Sequence, residues 1–232
     1  MKNNSETIIE TSDLVRAYHD GDQELYALNG VNIEIGKGEF TAIVGPSGSG
    51  KTTLLNAIGG LDHPTAGKIM VDGHEIQNLS DNKMIDFRLR NIGFVFQAYN
   101  LIPVLSAYEN AEFIMLLQNK PEKERKERVY QLLEKVGLKG RENRRPGELS
   151  GGQQQRVAVV RALASKPRFV LADEPTANLD GAATGALLDI MAQLNKEEGI
   201  TFVFATHDQR VIDRAKRVIS LEDGKVISDV WK

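Results

Sequence analysis

The sequence predicts an α/β fold: a central parallel sheet covered on both faces, antiparallel β structure beside it, and a helical segment inserted midway. Three observations carry this. "FTAIVG", "RFVLAD" and "TFVFATH" are short continuous apolar runs, the pattern of strands buried on both faces. Asp72-Gly73 in "GKIMVDGHEI" and Asp223-Gly224 in "RVISLEDGKVIS" are hairpin dipeptides. Between Gln97 and about Arg161 the pattern changes to helix.

Taken in order, "VNIEI" alternates, so Val31, Ile33 and Ile35 share one face of a strand. "FTAIV" is the first buried strand, and "GKIMV" and "HEI" flank the first hairpin. In the inserted segment, Ser106 with Glu109 forms a capping box, Pro121 opens "PEKERKERVYQLLEKVG", and Gly137 closes it. "RFVLAD" returns the chain to the sheet, "GALLDIMAQLNKEEG" is a helix, and "TFVFATH" is a further buried strand.

Composition narrows the function. The 232 residues carry a formal charge of -3, which gives no electrostatic reason to expect nucleic acid. With no cysteine, disulfides, zinc-thiolate sites and thiol nucleophiles drop out, in keeping with a reducing compartment. "MKNNSETIIE" lacks the apolar region of a secretory signal, and no apolar run approaches the roughly 18 residues of a membrane span. A cytosolic chain is expected.

Three stretches carry chemistry. "GPSGSGKTT" comprises Gly45, Pro46, Ser47, Gly48, Ser49, Gly50, Lys51, Thr52 and Thr53, and fits G-x-x-x-x-G-K-[ST] between a buried strand and a helix. Its glycines let backbone N–H groups turn inward around phosphates, and the helix presents its positive end to the same anion. Lys51 would reach the β- and γ-phosphates, and the Thr52 hydroxyl would ligate Mg²⁺. "FVLADE" ends its strand in Asp173, placed to hold Mg²⁺, and Glu174, placed to orient or deprotonate the attacking water. In "LSGGQQQRVAVVRAL", Ser150 caps a helix whose first turn holds Gly151, Gly152 and Gln153, a second phosphate reader with exposed N–H groups.

LSGGQ, the phosphate loop and "LADEP" together resemble the ATP-binding cassette (ABC) ATPases, the motor subunits of ABC transporters. The likeness covers essentially the whole chain and extends to Gln97 in "FVFQ", "ANLD" at Ala177 to Asp180, and His207 in "ATHD". It implies one nucleotide-binding domain over 1–232: a RecA-like parallel-sheet core with an antiparallel β subdomain from 1–96 and 162–232, and a helical subdomain over 97–161. It further implies that Gln97 senses Mg²⁺ and the attacking water and faces a membrane partner, Asp180 communicates across a dimer, and His207 contacts the γ-phosphate. ATP and Mg²⁺ are the implied cofactors. The implied partner is a second copy bound head to tail, so that the LSGGQ of one subunit closes over ATP held by the other.

"GFVFQAYNLIPVLSAYENAEF", "GGLDHPT" and the LSGGQ helix look most like the ATPases of lipoprotein-release, macrolide-export, cell-division and peptide-resistance systems. That branch implies a separate integral permease with an extracytoplasmic domain, a peripheral place on the cytoplasmic face of the inner membrane, and no nucleic acid. Ala177 stands where much of the branch has Gly. The candidate adenine platform is Tyr18, with Tyr26 as competitor. The alternative is a soluble ABC-type ATPase acting on DNA or ribosomes. The chain has neither the long coiled coil of the chromosome type nor the two cassettes common in the ribosome type. His19, His63 and His74 lie in polar turns without ligand-like spacing, and "PEKERKER" reads as a solvated helix face.

Overall fold

Two sheets organise the residues described by the computed structural model, 6–21 and 23–232. In the first, β1 (Thr7–Asp20) and β2 (Gln23–Gly36) pair antiparallel along nearly their whole length. β4 (Ala66–Val71) then pairs with β1, and β5 (His74–Glu75) closes the order β2-β1-β4-β5. Val31, Ile33 and Ile35 are all buried, as the alternation of "VNIEI" requires. Asp72 and Gly73 both take left-handed conformations (φ 47° and 77°), the geometry of a two-residue hairpin turn.

The second sheet contains β3 (Phe40–Val44), β6 (Ile92–Val95), β7 (Phe169–Asp173), β8 (Thr201–Ala205), β9 (Arg217–Glu222) and β10 (Lys225–Trp231). Its order is β10-β9-β3-β8-β7-β6, parallel throughout except for β10, which folds back on β9 through Asp223-Gly224. Every residue of β8 is buried, the outcome expected of a strand covered on both faces. One face packs Ile43, Leu171 and Val203 against α1 (Lys51–Ile58) and the antiparallel sheet. The other packs Phe40, Phe202 and Phe204 among the helices, with ring centroids 4.7 to 5.9 Å apart. Each of these phenylalanines contributes about 1.5–3 kcal/mol by leaving water.

α2 (Asp81–Asn91) precedes β6 and fully buries only Met84. α3 (Ala107–Leu117), α4 (Glu122–Lys135) and α5 (Gly151–Ala164) lie between β6 and β7, while α6 (Gly181–Glu198) and α7 (Gln209–Arg214) flank β8. Ser106 and Glu109 form the expected capping box on α3, Pro121 precedes α4, and Gly137 at φ 70° follows its last turn.

Strand order decides where the loops meet. β3, β8, β7 and β6 are parallel neighbours, so the segments leaving their carboxyl ends emerge side by side. These are the loop from Gly45, the turn carrying His207, the pair Asp173-Glu174, and the loop from Gln97. At the opposite end, the Arg217 guanidinium ties Glu39 (3.0 Å) to Asp229 (2.6 Å), lies 5.1 Å over the Trp231 ring, and donates to the Glu34 carbonyl.

Candidate active site

The loop from Gly45 to Gly50 is held in place by backbone contacts that only glycine permits. A Cβ on Gly45 would strike the Leu221 carbonyl oxygen, and one on Gly50, at φ 100°, would strike the Ala27 carbonyl oxygen. Ala27 presents that carbonyl because β2 carries a bulge there: Arg16 faces Leu28 while Ala17 faces Tyr26. Sequence alone does not place Ala27 at this site, since a bulge leaves no residue signature. α1 starts at Lys51 with no side-chain cap and no acidic residue in its first turn, so its N–H groups face the loop unscreened. The Lys51 ammonium donates to the carbonyls of Gly45 (2.9 Å) and Pro46 (2.8 Å), folded back over the loop it would serve.

The resulting cleft, about 590 Å³, is lined by the loop residues other than the buried Ser49, together with Ala27, Lys51, Thr52, Thr53, Gln97, Glu174, Ala177 and His207. The Thr52 hydroxyl is 3.1 Å from both Asp173 carboxylate oxygens. Burial pushes the Asp173 carboxyl up, against the opposing pull of the Thr52 hydrogen bond. A hydroxyl beside a part-buried carboxylate is a hard-oxygen donor set that suits Mg²⁺ when phosphates and water complete the shell. No cluster of three or more His, Cys, Asp or Glu capable of holding a metal occurs among the described residues, so the chain alone offers only this partial set.

Glu174 sits just past β7 in a left-handed conformation (φ 44°), and its N–H donates to Ala205 at 2.9 Å. That turn aims its carboxylate at the loop after β8. One oxygen accepts from the Thr206 hydroxyl at 3.2 Å and the other lies 2.7 Å from His207 Nδ1. A carboxylate accepts, so the ring presents Nδ1–H and its other nitrogen is free for a ligand. The carboxylate is mostly covered while His207 is three-quarters exposed. Thr206 is fully buried and receives the Asp208 N–H, and Asp208 in turn accepts from Thr176. Nothing in the sequence marks Thr206 beside His207, because a threonine at a strand end carries no distinctive pattern.

Gln97 is exposed at the cleft, and its carbonyl accepts from Asn178 at 2.9 Å. Asp180 caps α6 by accepting the Ala183 N–H at 2.7 Å. Ser150 and Gln153 form a complete capping box on α5. Gly151 and Gly152 are half-buried, with the Tyr99 hydroxyl near the first and Ala183 near the second. None of Ser150, Gly151, Gly152, Gln153 and Asp180 lines the cleft of its own chain. Tyr18 and Tyr26 lie outside that lining as well. Tyr18 donates to Asp62 at 2.7 Å and carries the Arg16 guanidinium 4.5 Å from its centroid, whereas Tyr26 bonds only Glu24, two residues away.

An apolar groove of about 600 Å³ runs beside the Gln97 loop, lined by Leu61, Ile85, Leu89, Phe94, Phe113 and Leu117 among others. No helix of the described residues is long and apolar enough to cross a membrane.

A glycine-rich loop leading into an uncapped helix, with an acidic pair and a histidine on neighbouring strands, defines a nucleoside-triphosphate-hydrolysing fold. Residues 28–177 match the family model described as ABC transporter, and the chain belongs to that family as an ATP-binding, ATP-hydrolysing cassette. It is 43% identical to a lipoprotein-releasing system ATP-binding protein, LolD, of Legionella pneumophila, covering 96% of this chain and 98% of that one. It is 47% identical to a macrolide export ATP-binding/permease protein, MacB, of Hyphomonas neptunium, covering 96% of this chain but 34% of that larger protein. Its backbone matches the dimeric post-hydrolysis structure of the cassette MJ0796 bound to ADP and Pi with a TM-score of 0.89, at 41% identity over 97% and 98% of the two chains.

Proposed function

We propose that this cassette works as an ATP-dependent head-to-tail homodimer that drives a separate integral permease. The observation that carries the reading is the position of the LSGGQ end of α5. It is a capped helix N-terminus, and none of Ser150, Gly151, Gly152 and Gln153 lines its own chain's cleft. The cassette MJ0796 is dimeric in a post-hydrolysis state bound to ADP and Pi, which supports a dimer here.

In this reading the backbone N–H groups of the loop and the Lys51 ammonium neutralise the β- and γ-phosphates, leaving Lys51 to exchange its two carbonyl partners for phosphate oxygens. Thr52, Asp173 and Gln97 would hold Mg²⁺, which would supply positive charge against the charge developing on the phosphates. Glu174, fixed by Thr206 and His207, orients or deprotonates a water for in-line attack on the γ-phosphorus. The bond to the β-phosphate oxygen breaks, giving ADP and inorganic phosphate. His207 contacts the γ-phosphate, donating to its oxygens through Nε2–H when the ring carries both protons. Ser150 and the glycines after it, from the partner copy, close the opposite face, and Asp180 lies where the two copies meet. Tyr18, already oriented by Arg16 and Asp62, is the better adenine platform.

The same reading treats 97–161 as a helical subdomain. It places the permease, with an extracytoplasmic domain, on the groove beside the Gln97 loop, and so holds the chain on the cytoplasmic face of the inner membrane. Likeness to LolD and MacB supports a lipoprotein or drug system, and a peptide system is the third alternative of the same reading. A mixing experiment tests the composite site. Lys51→Ala and Ser150→Arg chains, each inactive alone, regain ATPase activity when combined, because one site of the mixed dimer carries both defects and the other none. Activity of Ser150→Arg alone at the normal rate would contradict the shared site.

A further inference from the structure

The Gln97 loop is gripped from below by the helix that begins at Ser150. Beyond Gln97 the chain takes two consecutive left-handed residues that are not glycine, Tyr99 (φ 41°) and Asn100 (φ 49°). Asn100 tolerates this conformation, but for a bulky residue such as Tyr99 it is costly and persists where surroundings impose it. The imposing group is the Arg161 guanidinium in the last turn of α5. One nitrogen donates to the Tyr99 carbonyl at 2.9 Å and another to the Asn100 carbonyl. Among the described residues no carboxylate pairs with Arg161, and burial lowers its affinity for its proton, so these two carbonyls are its principal compensation. Six residues earlier on α5, nearly two turns, the fully buried Gln155 side chain reaches the Phe96 carbonyl at the loop's other end, at 3.5 Å.

We propose that Arg161 is a positioning residue for hydrolysis: by clamping the Tyr99 and Asn100 carbonyls to α5, it fixes where Gln97 stands relative to the attacked phosphate and ties that position to the Ser150 end of the same helix. The inference rests on the role given to Gln97 above. A fork of N–H donors spans two adjacent carbonyls at once, which a single ammonium does not reproduce. α5 is one continuous helix from Gly151 to Ala164, so its two ends move together. The guanidinium also lines the apolar groove beside Asn100, so an occupant of that groove would press on the clamp itself.

Two measurements on the full chain test this. In hydrogen–deuterium exchange, Arg161→Gln and the charge-retaining Arg161→Lys should speed exchange in the segment around 97–103 while peptides from the middle of α5 stay protected. Unchanged exchange in that segment, with either variant folded, overturns the clamp. In steady-state kinetics, both variants should keep the ATP affinity measured without Mg²⁺ and lose about tenfold to a hundredfold in kcat, the scale of a small misplacement of a positioning group. Combined with Gln97→Ala, neither should cost more than Gln97→Ala alone, because both act through one group. Additive losses in the double variant overturn the coupling. A Gln97→Ala chain that hydrolyses normally contradicts the Gln97 role and the coupling together, while the exchange result still decides the clamp.

Discussion

A single carboxylate shows how much of the chemistry here is set by what holds a side chain rather than by its identity. Glu174 is fixed by a left-handed backbone, a buried hydroxyl and an imidazole, and only the carboxylate and the imidazole could be read from the sequence. The same loop contains Asp208, whose carboxylate is lowered to about 2, first by the Arg210 side chain and then, against the cost of burial, by the Arg210 N–H and the Thr176 hydroxyl. A depressed carboxylate stabilises the fold above its unfolded pKa and loses that contribution as pH falls through the folded value. The stability gap between the native chain and Asp208→Asn should therefore be full above about pH 4 and close on approach to about pH 2, in urea unfolding at stepped pH. A gap independent of pH would mean that the Asp208 charge is not what matters. The adenine platform is a second test at this scale. Tyr18→Ala should weaken ATP binding by about 1–3 kcal/mol, the worth of base–aromatic stacking, and Tyr26→Ala should leave it unchanged. Affinities in the reverse order would move the platform to Tyr26.

Among elements, legibility followed pattern strength. The buried strands β3, β7 and β8 were plain because their apolar runs are continuous, and both Asp-Gly hairpins were plain because few residues take that turn. The α3 capping box and the limits of α4 were equally readable from Ser106, Glu109, Pro121 and Gly137. α2 was invisible, because a helix that fully buries only Met84 has almost no apolar stripe to detect. The long pairing of β1 with β2 was also hidden, since its register slips repeatedly and one slip is what brings Ala27 to the phosphate loop. The site was legible where a motif names its residues. It was illegible where a residue acts by bonding a backbone atom distant in sequence, as Asn178 does on Gln97 and Arg161 on Tyr99. The base of the main sheet rests on such a contact too. Removing the Arg217 side chain would leave the buried Glu39 carboxylate without its counter-ion, although Gly36 N–H and the Thr41 hydroxyl still donate to it. Arg217→Ala should cost about 3–5 kcal/mol in denaturant unfolding, the range for breaking a buried pair from one side. A loss under about 0.5 kcal/mol, the range of ordinary surface changes, would show that the pair is not stabilising the sheet.

For the whole molecule, strand order matters more than any single motif. Placing β3, β8, β7 and β6 side by side gathers the phosphate loop, His207, Glu174 and Gln97 at one edge, while Ser150, at the start of α5, does not line the cleft they form. One chain thus holds two halves of a site that do not meet within it, and this is why the proposed unit of hydrolysis is a pair of chains. Glu174→Gln separates binding from chemistry: it keeps the shape of the side chain and removes the carboxylate that would act on water. With ATP and Mg²⁺ at saturation, this variant should run as a dimer in a light-scattering measurement and as a monomer without nucleotide, with hydrolysis nearly abolished. A Glu174→Gln chain that binds ATP yet remains monomeric under those conditions would contradict the composite site.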